Sequence, residues 1–145
     1  MKTTVRQLLE SKGSDVWKIV ADANVYDALC LMAEKDVGAL LVFDQNKLVG
    51  IFSERDYARK VILKGKQSRD CRVSEIMTDK VVYVRPEQTI EESMALMSDK
   101  RIRHLPVFDQ DRLTGVISIG DVVKAMIADR EFIIGQLENY ITQKR

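Results

Sequence analysis

The sequence predicts an α+β fold: two βαββα repeats packed as one pseudo-two-fold body, with short helices at the N- and C-terminal ends. Two observations carry this. Sliding residues 16–62 onto 81–127 makes fourteen of 47 positions identical without a gap, where composition alone gives about three. The stretch Gly50-Ile51-Phe52-Ser53-Glu54-Arg55-Asp56 also returns as Gly115-Val116-Ile117-Ser118-Ile119-Gly120-Asp121. In both copies a Gly-led apolar strand ends at a serine, and a helical pattern opens with an aspartate three residues on. Similar units share an apolar pattern by convergence, but not the polar identities Asp44/Asp109, Gln45/Gln110, Ser53/Ser118 and Asp56/Asp121. The chain therefore contains a true internal repeat.

The elements follow in order. Val5, Leu8 and Leu9 share one face of a lead-in helix that Lys12-Gly13-Ser14-Asp15 ends. Residues 16–20 read as a short strand, and Asn24 caps a helix through Ala28, Leu29, Leu31 and Met32. Ala39 to Phe43 is a buried strand, 44–47 a turn, 48–52 a strand, and Ser53 opens a helix to about Lys64. A polar, basic connector runs from Lys64 to Arg72. The order then repeats: a helical turn at 73–77, a strand at 81–84, and a helix capped by Thr89 with Glu92. Two strands follow at 105–108 and 113–117, and Ser118 opens the last helix. In chain order the division is 1–72 (lead-in, first repeat, connector) and 73–145 (second repeat and C-terminal helix). Beyond the repeat, Phe132, Ile133, Leu137, Tyr140 and Ile141 form a stripe opposite Arg130, Glu131, Gln136, Glu138 and Lys144. A second copy of the chain is the expected cover for that stripe.

Composition narrows the function. Lys plus Arg is 23 against 22 for Asp plus Glu, a net charge of +1, which gives no general pull toward nucleic acid or membrane. No apolar run reaches the length of a membrane span, and the start lacks the apolar core of a signal peptide, so the expected compartment is the cytoplasm. Cys30, inside an apolar helical segment, is expected to be a small buried hydrophobe, and Cys71, in the basic connector, to be exposed. Two such cysteines make neither a metal site nor a disulfide framework. Met94, Met97 and Met126 read as core filling. A Ser, a single His and an Asp exist as letters. However, the serines sit at helix caps with no Gly-x-Ser-x-Gly elbow, so the expectation is a non-catalytic protein without a metal.

Gly50-x-x-Ser53-x-x-Asp56 and Gly115-x-x-Ser118-x-x-Asp121, with Arg103-His104-Leu105-Pro106-Val107, Met77-Thr78 and the β-α-β-β-α order, resemble a tandem pair of CBS domains. The likeness is to the stand-alone bacterial type and covers nearly the whole chain. It implies a disc-like dimerising module with two clefts between the repeats, sensing adenine nucleotides and passing occupancy to a regulated partner. AMP is the first expectation, with ADP, ATP or NAD(H) as alternatives.

Carried over, Asp56 and Asp121 would take hydrogen bonds from ribose hydroxyls. Ser53, Ser118, Arg55, Arg103 and His104 would hold phosphate, and Thr78 and Val81 would border adenine. The chemistry agrees, because an ionised carboxylate is acceptor-only and suits a diol that donates twice. The residue pattern by itself leaves a plainer alternative open, since Ser-x-x-Asp is also a helix cap. The two sites should differ: Gly38-Ala39 stands where the second repeat has Arg103-His104, and Glu54-Arg55 where it has Ile119-Gly120. The competing function is a scaffold or nucleic-acid binder using the basic connector.

Overall fold

The computed structural model describes residues 2–143. Met1 and Arg145 lie outside the described residues, as does Lys144 of the expected polar face. The helices are α1 (Val5–Lys12), α2 (Val25–Lys35), α3 (Glu54–Tyr57), α4 (Val73–Ile76), α5 (Ile90–Lys100) and α6 (Ile119–Gln143). The strands are β1 (Lys18–Val20), β2 (Ala39–Asp44), β3 (Lys47–Ser53), β4 (His104–Asp109) and β5 (Arg112–Ser118).

The described residues group into two compact units, and the grouping cuts across chain order. One unit is Val16–Val81; the other joins the lead-in segment up to Asp15 to the chain from Val82 onward. The contacts thus group the lead-in with the second repeat, whereas chain order sets it before the first. The cause lies in where each pre-repeat segment finds its hydrogen bonds. Val5 and Arg6 donate their N–H groups to the carbonyls of Gln88 and Pro86, and Val73 and Ser74 donate theirs to Ala23 and Ala21. Residues 86 and 88 match residues 21 and 23 in the repeat. The lead-in therefore serves the second repeat as the start of α4 serves the first.

In the unit Val16–Val81 the sheet order is β1-β2-β3, with β1 parallel and β3 antiparallel to β2. Gln45 and Asn46 both carry positive φ in the two-residue turn, the geometry that matches strand twist in a tight hairpin. Val25, Ala28 and Met32 of α2 pack with Leu40, Val42, Phe52, Val61, Val73 and Ile76 into one buried cluster. The helix expected to run unbroken from Ser53 instead widens after Tyr57. Leu63 donates to Ala58 and Lys66 to Val61, five residues back in each case.

The other unit repeats the plan with one loss. β4 and β5 pair antiparallel with the same bulge, between Val107 and Phe108, that β2 shows between Val42 and Phe43. The expected strand at 81–84 shrinks to a single bridge, Val84 to Val107. Proline explains it. In the first unit Leu41 donates its N–H to Trp17 at 3.0 Å. The equivalent donor is Pro106, which has no N–H, so Val82 loses its ladder bond. Val5, Leu8 and Leu9 of α1 join Ile90, Met97, Leu105, Val107, Ile117 and Val122 in this unit's core, with Met94 and Met126 packed against it.

The cysteines reverse the expectation. Cys30 is exposed, because the inward face of α2 is set by Val25, Ala28 and Met32 and residue 30 falls opposite it. Cys71 is buried, because its carbonyl accepts the Val25 N–H and pins the connector to the core. The expected C-terminal helix is the continuation of α6, 25 residues long without a break.

Candidate functional site

The two strand-to-helix corners are reciprocal caps. At the first, Asp56 N–H donates to Ser53 Oγ, while Ser53 donates its backbone N–H and its hydroxyl to Asp56 Oδ2, each at 3.0 Å. At the second, Asp121 N–H donates to Ser118 Oγ, and Ser118 N–H donates to Asp121 Oδ2 at 2.8 Å. The first helical N–H of each corner is also satisfied internally: Glu54 donates to the Gly38 carbonyl and Ile119 to the Arg103 carbonyl. Strand-end carbonyls and serine hydroxyls thus take these N–H groups. What the corners hold ready is the carboxylate.

The carboxylates have different surroundings. Asp56 is buried, with 8% of its surface exposed. Its Oδ1 accepts from the Thr78 hydroxyl at 3.1 Å and pairs with the Lys60 ammonium at 3.2 Å. Lys60, one helical turn on, also donates to the Ile76 carbonyl. Thr78 is placed by a backbone bridge in which Ile51 N–H donates to Thr78 and Thr78 N–H donates back.

Asp121 has no such threonine. Its second partner is Lys12, the last residue of α1, whose ammonium lies 2.6 Å from Oδ2 and 2.8 Å from the Val116 carbonyl. Val116 is the repeat equivalent of Ile51. One lysine side chain thus does what Thr78 does with its backbone N–H and its hydroxyl together. Burial pushes the Asp121 carboxyl up. The Lys12 hydrogen bond, the Ser118 N–H, the Lys12 charge and the Ser118 hydroxyl outweigh burial and hold it below its ordinary 3.8.

A glycine lets each lead-in segment approach. A Cβ on Gly50 would lie 2.6 Å from Met77 Sδ and 2.9 Å from the Thr78 carbonyl oxygen. One on Gly115 would lie 2.8 Å from Leu9 Cδ2. The motif glycine is needed for close packing in both units.

Ser53, Asp56 and Thr78 are thus in direct contact, with Arg55 half-buried in the same turn and Val81 half-buried three residues past Thr78. In the other unit Ser118 and Asp121 are in contact, and His104 pairs across the sheet with Ser118. Arg103 has its carbonyl at the helix start and its side chain exposed. Lys60 and Lys12 were missed. An Asp–Lys pair four residues apart in a helix was a readable signal for Lys60; nothing local points from Lys12 to a residue 109 positions away.

The CBS domain family matches residues 5–63 and 73–128 of this chain. The chain belongs to the CBS domain family. Among solved structures, a CBS-domain protein of Burkholderia ambifaria MC40-6, named for signal transduction, is 54% identical with a TM-score of 0.85, covering 88% of this chain and 96% of that one. ATU1752 of Agrobacterium tumefaciens is 39% identical with a TM-score of 0.82, covering 87% and 95%. The mitochondrial CBS domain-containing protein CBSX3 of Arabidopsis thaliana is 40% identical over 96% of this CBS pair and 72% of its own length.

Proposed function

We propose that this CBS pair is a non-catalytic regulatory module that binds adenine nucleotides, AMP first, and passes occupancy to a partner protein. The observation that carries the reading is the carboxylate of Asp56 and of Asp121, fixed by a serine cap at equivalent corners of the repeat. A carboxylate whose orientation is already set loses little entropy when it accepts two hydroxyls of a ribose. Ser53, Ser118, Arg55, Arg103 and His104 are proposed for the phosphate side, and Thr78 and Val81 for the adenine side. ADP, ATP and NAD(H) are the alternatives to AMP. The CBS pair of MJ0100, 22% identical with a TM-score of 0.77, was solved with 5′-methylthioadenosine and S-adenosyl-L-methionine. That likeness is one of fold, and it makes both compounds controls.

A ligand signals by binding one arrangement better than another. A second copy is the proposed mechanical partner: Phe132, Ile134, Leu137, Tyr140 and Ile141 of α6 are about half-exposed or more. A CBS-CP12 protein from bloom-forming cyanobacteria, 33% identical, is hexameric. The test is thermal unfolding with AMP, ADP, ATP, NAD, NADH, S-adenosylmethionine and 5′-methylthioadenosine, beside Asp56→Ala and Asp121→Ala. At about a hundred times its dissociation constant a ligand adds about 2.7 kcal/mol of apparent stability. A shift that one aspartate variant loses supports the sensor. No shift at millimolar concentrations sinks it and leaves the corners as helix caps.

A further inference from the structure

We propose that Lys12 selects for phosphorylated ligands at the second corner, a role that rests on the nucleotide-binding reading above. Its ammonium has three N–H groups. One goes to Asp121 Oδ2 at 2.6 Å and one to the Val116 carbonyl at 2.8 Å, so a third remains for an incoming acceptor. The Lys12 side chain is one-third exposed, and that of Asp121 about a quarter, so both are within reach of a small molecule.

Lys12 acts in two ways, and the second sets the preference. The diol of adenosine or of AMP must compete at Asp121 with a charge-assisted hydrogen bond already in place. A nucleoside phosphate brings an anion that Lys12 attracts, and Lys12 also cancels the carboxylate charge that would otherwise repel it. Lys12 therefore favours AMP over adenosine. The first corner is built differently: the neutral Thr78 hydroxyl lies on Asp56, and Lys60 comes from the same helix turn and is more exposed than Lys12.

Sequence gave no hint of this, because Lys12 belongs to the lead-in helix and has no counterpart at the first corner. That corner receives the end of α4 and then an extended bridge at Thr78 in its place.

The experiment is calorimetric titration of AMP and of adenosine into wild type, Lys12→Met and Lys12→Arg, with Asp121→Asn marking which binding belongs to the second corner. Lys12→Met keeps most of the side chain's length, and its folding is checked by urea unfolding. The preference for AMP over adenosine at the Asp121-dependent site should fall about tenfold or more in Lys12→Met and be largely kept in Lys12→Arg. If Asp121-dependent binding persists with an unchanged preference in folded Lys12→Met, the proposal is overturned and the nucleotide reading survives. If wild type shows no Asp121-dependent binding, both fall at this corner.

Discussion

Asp56 and Asp121 occupy equivalent places in a 65-residue repeat, yet each is neutralised from a different part of the chain. Asp56 receives Lys60 from its own helix and Thr78 from the bridge that follows α4. Asp121 receives Lys12 from the lead-in helix, across 109 residues of sequence. After Asp56 the helix widens and stops at Ile62; after Asp121 it runs on regularly to Gln143. A gene repeat thus preserved the cap and the carboxylate, the parts that need only local geometry. The counter-charge, which needs a neighbour, was solved separately in each unit.

The largest expected difference is at the motif glycines. Gly50→Ala places a methyl 2.9 Å from a backbone oxygen that is held in a bridge, whereas Gly115→Ala meets the end of the Leu9 side chain. Urea unfolding should show a loss of about 3 kcal/mol for the first and about 1 kcal/mol for the second. Equal losses would mean that the two lead-in segments are equally mobile. The lysines come next: Lys12→Met takes the counter-charge from a partly buried carboxylate that keeps the Ser118 N–H, leaves the Val116 carbonyl without that donor, and should cost about 1–2 kcal/mol. Lys60→Met removes the more exposed of the two lysines, while Ser53 and Thr78 still donate to Asp56, and should cost about 0.5 kcal/mol.

The third test uses pH. The folded Asp121 carboxyl lies below its ordinary 3.8. Its stabilisation is therefore present above the unfolded value and is lost as pH falls through the folded one. Unfolding measured between about pH 6 and about pH 3 should show a stability decline that is shallower in Asp121→Asn and in Lys12→Met. An unaltered slope would remove Lys12 as the source of the shift. The smallest effect is at Pro106→Leu, which restores the N–H that Leu41 has in the first unit. Hydrogen exchange should show a protected amide at position 106 that donates to Val82, for a gain of about 1 kcal/mol or less against the lost rigidity of proline.

Much of this was legible in the chain. The caps at Asn24, Thr89 and Ser53, the hairpin turn at residues 45 and 46, and the order of the elements all follow from patterns that span fewer than ten residues. The errors also share a cause. Cys30 and Cys71 were exchanged because burial depends on which face of α2 meets the sheet and on where the connector docks. The strand at 81–84 failed through one missing N–H on a different strand, at Pro106.

What the sequence by itself determined is the repeat, the class of fold and the pairing of a serine with an aspartate three residues on, because a helix cap is closed by neighbours in the chain. Tertiary structure alone decided that the lead-in segment completes the second repeat, that Leu9 and Met77 cover the motif glycines, and that Lys12 reaches Asp121. Those contacts join residues far apart in the chain. Their energy comes from desolvation and charge pairing at a place that no local pattern encodes.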